Sequence, residues 1–104
     1  MKRFEHIQLQ RREAHLASAN AAWAELRAKL DALGVEYRLF GSYVEGSFLE
    51  HSDIDLMIMG DLGTDTRQRV SRAASAAQAS WNIEFDMYFA KDLTPQACEA
   101  LLEH

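Results

Sequence analysis

Apolar residues at Leu16, Ala19, Trp23, Leu26, Leu30 and Leu33 keep a three-four spacing that lines one face of an amphipathic helix. The spacing predicts a helix from near Glu5 to Gly34, a residue type suited to the left-handed backbone that closes helices. The stripe reads as core packing, and the helix is long enough to leave part of it for an interface.

Past Gly34 the period changes. Val35 to Phe40 alternates and is rich in β-branched and aromatic residues, which predicts a strand running into a turn at Gly41-Ser42. Ile54 to Met59 reads as a second strand, with Asp53, Asp55, Met57 and Met59 on one face and Ile54, Leu56 and Ile58 on the other.

Thr64-Asp65-Thr66 offers capping residues for a helix from about Thr66 to Ser80, with Val70, Ala73, Ala74 and Ala77 along one side. A third strand, Ile83 to Phe89, turns Asp86 and Tyr88 away from its apolar face, and Pro95 opens a short last helix. The predicted order is helix, strand, turn, strand, helix, strand, helix: an α+β (mixed α/β) fold with a central mixed sheet of three or more strands flanked by helices.

Composition narrows the class. A chain of 104 residues with 48% hydrophobic and 26% charged residues suits one soluble globular domain, expected over residues 1–101, with 102–104 resembling the start of an expression tag. The formal charge of −5 argues against general nucleic-acid binding. One cysteine, Cys98, excludes an internal disulfide and is expected to be a small buried side chain; the lack of a long apolar run points to the cytoplasm and away from membranes. The histidines, His6, His15, His51 and His104, share no ligand spacing, although His51 stands close enough to Asp53 to touch a substrate.

The acidic residues carry the chemistry. One residue apart on a strand, Asp53 and Asp55 point the same way at about 6 to 7 Å, where like charges repel unless a cation or proton intervenes. Mg²⁺ is often held by one or two carboxylates together with substrate phosphates. Upstream, Gly41-Ser42 and Gly46-Ser47 supply glycines that let backbone N–H groups approach a phosphate, and hydroxyls that add hydrogen bonds. Taken singly, each feature also has an ordinary reading, a solvated strand end or a common turn. Tyr88, on the same strand face as Asp86, reads as packing.

Taken together, Gly41-Ser42, ten intervening residues, Asp53-Ile54-Asp55 and the later Phe85-Asp86-Met87 resemble the nucleotidyltransferase superfamily that includes DNA polymerase beta. The nearest likeness is to the minimal nucleotidyltransferases, often encoded beside a HEPN-type partner. The resemblance runs from Val35 through Asp86. It implies that Gly41 and Ser42 bind the nucleotide triphosphate, that Asp53, Asp55 and Asp86 are catalytic and bind two Mg²⁺ or Mn²⁺ ions, and that Asp86 can activate the attacking hydroxyl. The implied activity is transfer of a nucleoside monophosphate, AMP from ATP, to an acceptor hydroxyl, with a HEPN-type toxin as partner and acceptor and a homo-oligomer as a further expectation.

One position departs from the family pattern: Glu45 stands before Gly46 where a basic residue is usual. Arg38 is not an obvious replacement, whereas Lys91 or a partner's arginine could be one. The alternative reading is therefore a non-catalytic binding module of the same fold that neutralises its partner by contact.

Overall fold

A computed structural model describes residues 3–103 of the chain, ordered as α1 (Arg3–Ala32), β1 (Tyr37–Phe40), α2 (Ser42–Glu45), β2 (Ile54–Ile58), α3 (Thr64–Trp81), β3 (Phe85–Phe89), a 3₁₀ turn (Ala90–Asp92) and α4 (Pro95–Leu102). The three strands form one mixed sheet in the order β1-β2-β3. β1 pairs antiparallel with β2, and β2 pairs parallel with β3 through the α3 crossover. This is the α+β architecture expected from the periodicities.

Strand parity decides what each face carries. Ile54, Leu56, Ile58 and Phe85 lie on the face that packs on α1 and α3, and join Ala19, Ala22, Leu26, Leu30, Val70, Ala74 and Ala77 in one buried cluster. The alanines let the helix axes approach the sheet, and each fully buried leucine or isoleucine contributes about 1.5 to 3 kcal/mol of transfer free energy. The other face carries Phe40, Asp55, Met57, Asp86 and Tyr88, because directly paired residues point to the same side. Met57 and Phe40 are nevertheless buried there, outside the main cluster, so the acid-bearing face is closed along part of its length. Arg38, on that face, shares a shallow hollow with Pro95, Cys98, Glu99 and Leu102 of α4.

Four local expectations change. Leu16, at the head of the predicted stripe, is 39% exposed, as are Ile7 and Leu9 to similar degrees, and the fully buried stripe of α1 begins only at Ala19. The strand predicted from Val35 starts at Tyr37; Val35 is buried just after the helix, where its N–H reaches back to the Leu30 carbonyl. The second helix starts at Thr64 rather than Thr66, with extended Gly63 as its cap and no side-chain cap bond, so Thr64-Asp65-Thr66 form the first turn. Asp65 still favours that end through the helix dipole. Cys98 is half-buried, with its thiol directed at the Ala90 carbonyl.

Gly34 takes φ 69° after α1, as the helix-closing role requires. Pro95 occupies the first turn of α4, and Thr94 Oγ1 accepts from the Ala97 N–H. No described helix is long and apolar enough to cross a membrane.

Candidate active site

The carboxylates gather where β2 and β3 begin. Asp55 lies opposite Asp86 in the parallel register and opposite Phe40 in the antiparallel one. Parity and register therefore set the two carboxyls side by side, near enough for the charge of Asp86 to act on Asp55. Asp53, exposed one residue before β2, is near enough to act on Asp55 through its charge. Among the described residues, no three His, Cys, Asp or Glu side chains are gathered tightly enough to hold one ion. The close unit is the Asp55–Asp86 pair, with Asp53 beside it.

Every influence on Asp55 raises its pKa: burial first, then the charges of Asp86 and Asp53, the hydrogen bond with Asp86, and the charge of Glu45. A half-buried acid set among acids favours either a proton or a bound cation. An all-oxygen, multiply anionic donor set suits a hard divalent ion rather than a soft one. The donor set therefore suits a hard divalent cation that takes further oxygen ligands from elsewhere.

Gly41 closes the other side of this pair. Its backbone, at φ 78° and ψ −160°, approaches Asp55 so closely that a β-carbon there would overlap Oδ2 and lie 2.9 Å from Cγ. Both the backbone conformation and the missing side chain are needed. The Gly41-Ser42 turn proves to be a single helical turn, α2, in which the Glu45 N–H bonds to the Gly41 carbonyl and those of Gly46 and Ser47 to the Ser42 carbonyl. Short-range periodicity has too few residues to register one turn of helix.

Tyr88 combines two roles. Its ring packs near Phe40 at 6.0 Å, in line with the packing reading, and its hydroxyl donates to Asp86 Oδ2 at 3.1 Å. The hydrogen bond to Asp86, followed by that carboxylate's charge, raises the phenol pKa. The i, i+2 spacing from Asp86 on a strand was the available signal. His51 projects into solvent, 92% exposed, with Glu50 3.4 Å away. Lys91 pairs with Asp61 at 3.4 Å beyond the far end of β3, so it does not stand in for the basic residue at position 45.

The aromatic side chains behind the site had no sequence signal. His15 of α1 stacks on Phe48 at 5.1 Å and 12°, Phe48 meets Tyr43 of α2 edge-on at 5.4 Å, and the Tyr43 hydroxyl donates to Asn20 Oδ1 at 2.6 Å. These residues lie far apart in the chain, and the contacts between them arise only on folding.

A mixed sheet backed by two helices, with paired carboxylates on its open face beside a glycine turn, has the form of a small nucleotidyltransferase. The chain belongs to that family: the model of the nucleotidyltransferase domain matches residues 20–103. Membership supports a transferase class and a general role in nucleotidyl transfer, and the family implies a nucleoside triphosphate as substrate. No curated protein and no solved structure matches the chain.

Proposed function

We propose that the protein is a metal-dependent nucleotidyltransferase that moves AMP from ATP to an acceptor hydroxyl on a HEPN-type toxin, and so acts as an antitoxin. The observation that carries this reading is the uncompensated Asp55–Asp86 pair, with Asp53 beside it, facing Gly41. Asp55 and Asp86, with Asp53 drawn in from beside them, would hold Mg²⁺ together with oxygens of the substrate, and the ion when bound would supply charge neutralisation at the phosphate oxygens and a more acidic acceptor hydroxyl.

The chain's own groups do the rest. Gly41 lets the Asp55 carboxylate pack directly against the backbone at the start of α2, and the first N–H groups of that turn have no acceptor within it and are free to bond a phosphate oxygen. Asp86 is exposed, lies on the rim of the pair and can receive the acceptor's proton on a carboxylate oxygen. Tyr88 holds one of its oxygens by donating to Oδ2, which restricts the rotation of that carboxylate. Half-buried Asp55 is shielded on one side by Gly41 and Phe40, which limits competing water.

One observation favours the alternative, a non-catalytic module that neutralises its partner by contact. Exposed Glu45 lies close enough for its charge to raise the Asp55 pKa, so it also opposes an incoming triphosphate. Incubation with labelled ATP, Mg²⁺ and the neighbouring gene product separates the two. Label on the partner that is lost in the Asp53→Asn/Asp55→Asn double variant is the outcome for the enzyme. Tight association without label is the outcome for the module.

A further inference from the structure

Each strand that delivers a carboxylate is held at the neighbouring peptide by a side chain from a helix. His15 Nε2 lies 3.0 Å from the Ser52 carbonyl oxygen. A carbonyl only accepts, so the ring carries its proton on Nε2 and donates. That carbonyl belongs to the planar peptide whose nitrogen is Asp53's, so fixing it fixes the plane from which Asp53 departs. At the second strand, the Phe85 N–H donates to Gln78 Oε1 of α3 at 2.8 Å, while the carbonyl of the same peptide, Glu84 O, accepts from the Ile54 N–H at 3.0 Å. The residue after Phe85 is Asp86, and Ile54 separates Asp53 from Asp55.

The two anchors therefore sit on the residues immediately before Asp53 and Asp86, one from each helix that backs the sheet. Stacking on Phe48 holds the His15 ring in place, and Phe48 is itself buried in the core. The carboxylates repel one another and sit where the strands begin, the place where strand ends fray most readily. Bonds at these two peptides oppose the splaying that repulsion would drive.

We infer that His15 and Gln78 are positioning residues: they hold Asp53 and Asp86 at the spacing a divalent cation requires, acting through the Ser52 carbonyl and the Phe85 N–H. The inference rests on the metal-dependent reading above. His15 precedes the residues matched by the family model, which begin at 20, so family membership does not supply its role.

The test uses the full chain and Mn²⁺ alone as probe. His15→Phe keeps a ring to stack on Phe48 and removes the donor, whereas His15→Gln restores a donor; Gln78→Leu removes the acceptor, and Gln78→Glu restores one. Loss of either anchor is expected to weaken Mn²⁺ binding by about tenfold, as removal of outer-shell partners commonly does. The restoring variants should recover most of that loss at comparable melting temperature. Unchanged affinity in folded His15→Phe and Gln78→Leu overturns the inference, as does a loss that simply follows the melting temperature in all four variants. Wild-type protein that binds no Mn²⁺ sinks the metal reading instead, and amide exchange at Ile54 and Phe85, whose N–H groups are hydrogen-bonded beside the two anchors, then decides the anchoring. Exchange about tenfold faster in the two deletion variants supports it, and unchanged exchange overturns it.

Discussion

Gly41 is the residue where one added methyl group should do most harm for its size. Gly41→Ala drives a β-carbon into the Asp55 carboxylate and forces an L side chain to φ 78°, so the loop or Asp55 must move. The expected cost is on the order of 1 to 3 kcal/mol of stability with loss of nucleotidyl transfer, measured by thermal unfolding and by the labelled-ATP assay. Asp55 makes the opposite prediction. Its folded pKa is raised, so the folded state keeps its proton to higher pH than the unfolded chain does. Its effect is therefore absent below the ordinary carboxyl pKa, and stability falls as pH rises from there through the raised folded value. Asp55→Asn should remove that fall and raise the melting temperature of the metal-free protein near neutrality, and Mg²⁺ should stabilise the wild type more than the variant. At Glu45, replacement by arginine should tighten ATP binding on the order of tenfold at low salt and by less at high salt, as titration calorimetry would show.

Among the elements, α1 divides into two unequal parts. Residues 6–14 are exposed, whereas Ala19, Ala22, Leu26 and Leu30 are fully buried. Removing residues 1–11 should therefore cost less than about 1 kcal/mol, whereas Leu26→Ala should cost about 2 to 5 kcal/mol. Denaturant titration of the two variants compares them directly, and equal losses would show that the distal turns of α1 contribute as much as its core contacts. The helices and strands were legible because a period of 3.6 or 2 is a local property of the chain. Asp53, Asp55 and Asp86 could be placed on one face of the sheet by counting parity along two strands, and the parallel register brings the last two side by side. What periodicity could not reveal is contact between distant segments: the stack of His15 on Phe48, the bond from Tyr43 to Asn20, and the burial of Met57 on the face that carries the acids. The one-turn α2 was too short to carry a pattern, and the exposure of Leu16 depends on where the sheet stops rather than on anything in α1 itself.

For the whole molecule, the mixed sheet sets the order in which the site can form. β1 and β2 are antiparallel and joined locally, whereas β2 meets β3 only after the chain has passed through α3. The pairing of Asp55 with Asp86 lies on that second seam, the join between segments far apart in sequence. Such non-local pairing carries a loop-closure cost that local pairing avoids. A cation clasped between the two carboxylates would thus act as a rivet across the last seam to close and the first to open. Trypsin should then cut slowly at Lys91 with Mn²⁺ present and faster once a chelator is added, and the same protection should be missing when residue 86 carries an amide.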